Sequence, residues 1–209
     1  EHEVRAIIGP NGAGKSSMLN CINGVYTPQQ GSITFRGQSF KHMDSHQVAL
    51  MGIGRTFQIP RVFRKMSLID NLMVPVLSWS QSDTELMSKA ETILEQFKLI
   101  DLRHNFAEEL SGGQQKLLEM ARMLMPDPRV VMLDEPFAGV HPDLCTFMIE
   151  RISDMAGQGK AVLLISHDLT SIYRLSNHLI AMNQGQVIAQ GGVQDIRSNP
   201  DVIEAYLGH

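Results

Sequence analysis

The sequence predicts an α/β protein whose mostly parallel sheet is flanked by helices. Three short apolar runs have the length of buried strands: VRAII at Val4–Ile8, VVML at residues 130–133 and AVLLIS at residues 161–166. They alternate with segments in which apolar residues keep helical spacing, and strands buried on both faces are typical of parallel sheets. The chain of 209 residues is long enough for one such domain with a small insertion.

Three helices are predicted from apolar spacing and from stop signals. The first covers residues 15–24, directly after a glycine-rich loop, and the second covers residues 84–97. The second is indicated by apolar residues at helical spacing, namely Leu86, Met87, Ala90, Ile93, Leu94 and Phe97. The third covers residues 112–125 and stops near Pro126 and Pro128, because proline cannot continue a helix.

Two further segments predict a small antiparallel part beside the parallel strands. Residues 32–35 alternate in polarity between two turn signals, which is typical of a short strand. The runs LIAM and QVIAQ flank Gln184 and Gly185. Because these two residues favour a turn, the runs predict a hairpin that extends the sheet.

The composition excludes several classes of partner and location. The formal net charge is −4, so no overall positive field attracts nucleic acid, and no nucleic-acid partner is predicted. The two cysteines, Cys21 and Cys145, lie far apart, which favours a reducing compartment over a disulfide framework. No apolar run approaches the roughly 18 residues of a membrane span, so we expect the chain alone to be soluble. Because it begins at Glu1, only eight residues before Gly9, we expect it to be truncated at its amino end.

The stretch GPNGAGKSS, directly after the first apolar run, has the pattern of a phosphate-binding loop. Its residues Gly9, Gly14, Lys15 and Ser16 satisfy GxxxxGK[ST]. The glycines let the backbone amides point at phosphate, and Lys15 brings positive charge to the β and γ phosphates. The Ser16 hydroxyl is suited to ligate Mg²⁺, and Ser17 is placed to bond a phosphate oxygen. Between a strand and a helix, this loop predicts a P-loop NTPase core, which kinases, GTPases and motors share.

Two acids and a histidine follow two of the predicted strands. Asp134 and Glu135 come directly after residues 130–133, and His167 comes directly after residues 161–166. Ligands bind at the carboxyl edge of an open α/β sheet, so Asp134 is predicted to hold Mg²⁺ and Glu135 to orient or deprotonate water. His167 is predicted to sense the γ phosphate, and the Gln58 amide is suited to ligate Mg²⁺ and position water. Each residue alone also fits a cap, a solvated turn or a structural hydrogen bond.

The motif LSGGQ, residues 110–114, predicts a second anion site far along the chain from the first. Ser111 stands at the expected helix cap, and Gly112 and Gly113 expose backbone amides at the helix amino terminus. Gln114 completes the motif. One nucleotide contacts both sites only if the chain folds them together or if a second copy supplies one of them.

These motifs together resemble the ATP-binding cassette (ABC) family. The glycine loop, Gln58, LSGGQ, VVMLDE and SHD occur in the order and approximate spacing of that family and cover essentially the whole chain. The resemblance implies an ATPase that forms a head-to-tail dimer around two ATP molecules, with a second cassette subunit that is identical or related. Each ATP is then held between one copy's loop and the other copy's signature motif. The loop residues implied are Asn11, Gly12, Gly14, Lys15, Ser16 and Ser17, and the motif residues are Ser111, Gly112, Gly113 and Gln114.

Three stretches narrow the resemblance to one branch of the family. GIGRTFQIPRVFRKMSLIDNL, DEPFAGV and NPDVIEAYLG are similar to the ATPase subunits that power uptake of branched-chain (hydrophobic) amino acids and amides. The subunit that powers lipopolysaccharide extraction is similar in several of these places and stays an alternative. The resemblance implies a peripheral subunit on the cytoplasmic face of the inner membrane, bound to permease subunits and indirectly to a periplasmic binding protein. It also implies a helical subdomain over about residues 59–111 of a single domain.

Two positions depart from the family pattern. Family members carry an adenine-stacking aromatic residue upstream of the loop, and the eight residues before Gly9 contain none. His141 stands where the family usually has Asp or Asn, so its role at the dimer interface is expected to differ.

Other functions of cassette proteins fit this sequence less well than transport. Soluble cassette proteins of DNA repair or translation carry long coiled coils or tandem cassettes, and neither feature occurs here. A regulatory module without turnover is expected to lack Glu135 and His167, and both are present. The apolar residues within 61–79 fit either a face for a membrane partner's cytoplasmic helix or the core of the subdomain.

Overall fold

The computed structural model describes residues 3–40 and 42–207 and contains two β-sheets. In chain order the strands are β1 (Val4–Ile8), β2 (Thr34–Phe35), β3 (Gln38–Ser39), β4 (Ile53–Arg55), β5 (Val130–Asp134), β6 (Ala161–Ile165), β7 (His178–Asn183) and β8 (Gln186–Gly191). The large sheet has the order β4-β5-β6-β1-β7-β8. Its neighbouring strands are parallel except β7 and β8, which form the predicted antiparallel hairpin.

The described residues also form nine α-helices, which lie between and beside the strands. They are α1 (Lys15–Ile22), α2 (Ser45–Leu50), α3 (Leu68–Met73), α4 (Asp83–Gln96), α5 (Gly112–Leu124), α6 (Pro142–Gly157), α7 (Leu169–Leu175), α8 (Val193–Arg197) and α9 (Pro200–Leu207). Short 3-10 helices occur at Val74–Val76, Ile100–Leu102 and Ala107–Glu109. Within the described ranges, no helix has both the length and the apolar character needed to cross a membrane.

The central strands are buried on both faces, as the apolar runs predict. On one face, the side chains of Ile7, Met132 and Ile165 pack with Leu19 of α1. The other face belongs to a larger core that includes Ala6, Ile8, Val131, Leu133, Val162 and Leu164. Alternate residues of one strand therefore enter opposite cores, and the carboxyl ends of β1, β5 and β6 meet at one edge of the sheet.

The predicted mixed α/β fold is confirmed, with two differences in detail. The strand predicted at residues 32–35 is shorter and pairs with β3 in a separate two-stranded sheet. Arg36 and Gly37 have φ of 51° and 77°, so they form a tight turn that folds β2 back on β3. The helix predicted over 15–24 ends at Ile22, because Gly24 has a φ of 69° and leaves the helix.

Helices α3 and α4 and the 3-10 helices lie between β4 and α5, where the helical subdomain is predicted. Its limits at residues 59–111 stay a prediction. The apolar residues within 61–79 divide into two sets: Leu68, Ile69, Leu72 and Val76 are buried in the larger core, whereas Phe63 and Leu77 are exposed. The interpretation as subdomain core thus fits the first set. The motif NPDVIEAYLG contains all of α9, and its last residue, Gly208, lies outside the described residues.

Candidate functional site

The glycine loop joins β1 to α1 at the carboxyl edge of the sheet. Gly9 lies so close to β7 that a Cβ atom there would stand 2.1 Å from the carbonyl oxygen of Met182. Gly14 precedes α1 with a φ of 96°, a conformation that glycine adopts without steric cost. The structure therefore explains both glycines of the motif: Gly9 has no room for a side chain, and Gly14 adopts a backbone conformation that favours glycine.

Lys15 is folded inward over this loop. Its Nζ donates to the carbonyl oxygens of Gly9 at 2.7 Å and Pro10 at 3.0 Å. Burial lowers the pKa of Lys15, and the nearby carboxylates of Glu135 and Asp134 partly oppose that shift. Neutral carbonyl oxygens thus hold the ammonium group at the loop. An anionic phosphate oxygen would be a stronger hydrogen-bond partner and would replace them.

A cavity of about 220 Å³ joins the loop and α1 to Gln58, Glu135 and Ile165, which come from three other segments of the chain. Its lining consists of Asn11, Gly12, Ala13, Gly14, Lys15, Ser16, Ser17, Gln58, Glu135 and Ile165. The structure therefore brings together all six predicted loop residues, Gln58 and Glu135. This juxtaposition of backbone amides, a lysine, two hydroxyls and a carboxylate is suited to a polyphosphate and a water molecule.

Asp134, at the end of β5, is held by a buried ion pair. Its Oδ2 accepts from the Arg55 guanidinium at 3.0 Å, and both side chains are almost fully buried. Arg55 also donates to Oδ1 of Asn20 on α1 at 2.7 Å. The Oδ1 of Asp134 is buried without a hydrogen-bond partner, so it has a free acceptor for a metal-bound water. The carboxylate oxygen of Asp134 is a ligand type that suits a magnesium ion. The role of Arg55 was not predicted from the sequence.

Glu135 and His167 are in contact at the same edge. Nδ1 of His167 lies 2.8 Å from Oε2 of Glu135, and the backbone N–H of His167 donates to the same oxygen at 3.2 Å. The Glu135 side chain is largely buried, whereas the His167 side chain is two-thirds exposed. Glu135 has a φ of 50°, an uncommon backbone conformation for a residue with a side chain. Its carboxylate is therefore oriented by the histidine rather than free in solution.

Two buried charges on α5 also contact the site, and sequence reasoning missed both. Nζ of Lys116 donates to the carbonyl oxygens of Glu135 at 2.9 Å, Pro136 at 3.2 Å and Ala138 at 2.8 Å. The carboxylate of Glu119 accepts from backbone N–H groups on either side of Gln58. Their spacing of three residues places both on one face of a helix, but the same spacing is typical of a solvated ion pair, so the sequence carries no signal that sets them apart.

The signature motif caps α5 but does not reach the cavity. The Ser111 hydroxyl accepts from the Gln114 N–H at 3.3 Å, and the Gln114 side chain accepts from the Ser111 N–H at 3.0 Å. Ser111 and Gly112 are exposed, and a Cβ on Gly113 would stand 2.6 Å from a Leu144 methyl group. Within the described residues, none of the four motif positions lines the 220 Å³ cavity.

Two further side chains shape the loops around the site. His141, the departure from the family pattern, caps α6: its Nδ1 accepts from the Asp143 N–H at 3.4 Å, as an Asn or Asp oxygen does at a helix cap. Tyr206 of α9 was not predicted. Its hydroxyl accepts from the Gly9 N–H at 2.8 Å, and burial raises the pKa of Tyr206. The carboxyl-terminal helix thus holds the start of the glycine loop.

The parallel sheet, the glycine loop and the polar cavity at its edge define a P-loop NTPase. The family described as "ABC transporter" matches residues 1–138, and "Branched-chain amino acid ATP-binding cassette transporter" matches residues 186–209. The chain belongs to the ABC transporter family of ATP-binding proteins.

Curated relatives agree with the branch that the motifs indicate. The probable branched-chain amino acid transport ATP-binding protein LivG of Archaeoglobus fulgidus is 37% identical over 98% of this chain and 84% of its own length. LivG of Escherichia coli K12 is 37% identical over 99% and 87%, and BraF of Pseudomonas aeruginosa is 37% identical over 100% and 88%. The prediction of an ABC ATPase subunit that resembles the branched-chain amino acid branch is confirmed.

Solved structures agree with the fold. An ATP-binding cassette of an ABC transporter in its ADP conformation superposes with a TM-score of 0.89 at 34% identity, covering 100% of this chain and 89% of that one. A dimeric bacterial ABC transporter cassette superposes with a TM-score of 0.84 at 24% identity, covering 92% and 86%. The structure at 34% identity supports a nucleotide-binding domain, whereas the structure at 24% identity supports the fold alone.

Proposed function

We propose that this chain hydrolyses Mg-ATP as the nucleotide-binding subunit of a transporter that imports branched-chain amino acids or related amides. The observation that carries the chemistry is the cavity that joins Lys15, Ser16, Gln58 and Glu135. The observation that supports the cargo is the set of relatives named as branched-chain amino acid transport proteins. Cargo itself contacts the permease and a periplasmic binding protein, not this subunit.

The loop and α1 bind the triphosphate. Backbone amides of Asn11, Gly12 and Gly14 face the phosphate oxygens, Lys15 pairs with the β and γ phosphates, and Ser17 donates a hydrogen bond. Ser16, Gln58 and Asp134 would hold Mg²⁺, which would neutralise charge on the β and γ phosphates. Arg55 keeps Oδ2 of Asp134 in place, and Oδ1 has no other hydrogen-bond partner.

Glu135 activates the attacking water. The water oxygen bonds to the γ phosphorus, the bond from that phosphorus to the β–γ bridging oxygen breaks, and one water proton passes to the Glu135 carboxylate. His167 orients that carboxylate through its 2.8 Å contact, and its exposed ring is free to approach the γ phosphate. Gln58, which lines the same cavity, positions the water and senses the γ phosphate.

A second cassette completes each site. Ser111, Gly112, Gly113 and Gln114 do not line this chain's own cavity, although their helix terminus is suited to phosphate. We assign them to the ATP of a second, identical or related subunit in a head-to-tail dimer. ATP closes the dimer, and hydrolysis followed by release reopens it.

A groove beside Gln58 provides the surface for the membrane partner. A cavity of about 280 Å³ between β4, α5 and the 3-10 helix at Val74–Val76 is mainly apolar, and Phe57 lies in its lining. Apolar groups from several elements contribute, namely Ala49, Ile53, Pro75, Met123, Pro126 and Pro128. A cytoplasmic helix of the permease fits such a groove and would anchor the subunit on the cytoplasmic face of the membrane.

The experiment for the ATPase is the substitution Glu135→Gln. The amide cannot accept a proton from water, so turnover is expected to fall about a thousandfold or more while ATP affinity is retained and the ATP-bound dimer accumulates. Turnover is followed by phosphate release, and dimerisation by light scattering. Undiminished turnover would remove Glu135 from its role.

Docking of the membrane permease is tested by introducing a charged side chain into the groove. Ala49→Glu places a carboxylate at an exposed apolar position of the groove where a permease helix would dock, so the variant is expected to lose transport in membrane vesicles while its basal ATPase persists. Co-purification with a multi-span permease and a binding protein from the native membrane identifies the cargo branch. Recovery of a lipopolysaccharide-export component instead would contradict amino acid import, and normal transport by the variant would contradict the docking site.

A further inference from the structure

We propose that Glu119 and Lys116 are positioning residues through which α5 sets the backbone of the two segments that carry Gln58 and Glu135. The inference rests on the proposed ATPase function and names two residues that serve it without contacting nucleotide. Neither residue belongs to the motifs that the sequence singles out. Both are buried, with relative exposures of 3% for Glu119 and 8% for Lys116.

Glu119 holds both sides of the Gln58 segment. Its Oε2 accepts from the Phe57 N–H at 3.2 Å, and its Oε1 accepts from the Arg61 N–H at 2.8 Å. These two donors precede and follow Gln58, so one carboxylate fixes the path of the backbone that presents it. Arg122, one turn further along α5, donates to the Arg61 carbonyl and stacks on Phe63, which adds to the same attachment.

Lys116 holds the segment that follows Glu135. Its ammonium group donates to three acceptors of that turn, the carbonyl oxygens of Glu135, Pro136 and Ala138. An ammonium group has three donors, so its hydrogen-bonding capacity is fully used inside the protein. Glu135 has a φ of 50°, and these bonds fix the turn in which that uncommon conformation occurs.

The two residues are rigidly related because they lie three positions apart on one helix. A displacement of α5 would therefore move the Gln58 segment and the Glu135 turn together, since removing either buried charge from its backbone partners is costly. The same helix begins at the signature motif, which in the proposed dimer contacts the ATP of the other subunit. Docking of the motif at one ATP would thereby adjust Gln58 and Glu135 at the other.

The test compares Glu119→Gln and Lys116→Gln with wild type in the full chain. The glutamine at 119 can accept at one oxygen only, so one of the two backbone bonds is lost. Lys116→Gln keeps two donors, and Lys116→Met keeps none. We expect kcat to fall about tenfold in Glu119→Gln and more in Lys116→Met than in Lys116→Gln, while KM and the affinity for a fluorescent ATP analogue change less than about twofold.

Matched controls are Glu95→Gln on α4 and Lys65→Gln, which alter exposed charges of the same kind. Rates are expressed per binding site titrated with the fluorescent analogue, so an unfolded fraction does not enter kcat. Wild-type kcat in Glu119→Gln and Lys116→Met would overturn the inference, as would a loss confined to KM. Failure of the proposed function gives a different result: wild type would then release no phosphate from ATP, or Glu135→Gln would release it as fast as wild type.

Discussion

At the scale of single residues, the site depends on buried charges whose partners are backbone atoms or other buried charges. Arg55 neutralises Asp134, and Glu119 and Lys116 bind peptide groups. Burial acts on both residues of α5: it raises the pKa of Glu119 and lowers the pKa of Lys116. Such groups cost free energy of desolvation and are retained where their hydrogen bonds fix a conformation that function needs.

The raised pKa of Glu119 predicts a pH dependence of stability. Between its ordinary pKa of 4.5 and the raised pKa of the folded state, Glu119 has lost its proton in the unfolded state but keeps it in the native state. The contribution of Glu119 to the free energy of unfolding is therefore largest below pH 4.5 and declines as pH rises through the raised pKa of the folded state. Glu119→Gln has no such proton. The stability of wild type relative to this variant, measured by urea unfolding, should fall as pH rises from 4.5, and a constant difference would contradict the assignment.

At the scale of elements, the glycine loop is positioned by two neighbours that are distant in sequence. The carbonyl of Met182 on β7 closes one side of Gly9, and the hydroxyl of Tyr206 on α9 binds its N–H. The loop therefore depends on β7 and α9 as well as on its own motif. The carboxyl-terminal helix is in this way part of the nucleotide site.

The close approach of Gly9 to β7 predicts a large effect of one methyl group. In Gly9→Ala the added Cβ would stand 2.1 Å from a backbone oxygen, so the loop or β7 must shift. We expect the free energy of unfolding to fall by about 2–4 kcal/mol and ATP affinity to fall with it. Gly157→Ala at the end of α6, where an added Cβ meets nothing within 4 Å, is the control and should be neutral. Equal melting temperatures for the two variants would refute the steric explanation.

Much of this arrangement was predictable from local sequence, and the remainder depends on distant contacts. The loop, the strand ends at Asp134 and His167, and the hairpin after β7 each carry a short-range signal. Tyr206 binds a residue 197 positions away, and nothing near it in sequence indicates that contact. Glu119 and Lys116 lie on a helix whose polar positions resemble a solvated face, so only the tertiary structure shows that they are buried.

At the scale of the whole molecule, the two sets of predicted nucleotide-binding residues do not meet within the described part of the chain. The cavity at the edge of the sheet contains the loop, Gln58 and Glu135, whereas the signature motif at the start of α5 lies outside its lining. In the proposed head-to-tail dimer each set would meet its complement. The buried charges of α5 would then connect the two ATP sites, and the groove beside Gln58 would connect them to the membrane partner.

Sharing of each ATP site between two copies can be measured by mixing two inactive variants. Lys15→Ala removes the phosphate-binding charge, and Ser111→Arg blocks the signature motif, so each homodimer has two defective sites. A mixed dimer has one site with both an intact Lys15 and an intact Ser111. We expect an equal mixture, combined before ATP is added, to recover about a quarter of wild-type phosphate release, since half the dimers are mixed and each has one intact site. A mixture no more active than its separate components would show that the two copies do not share their sites.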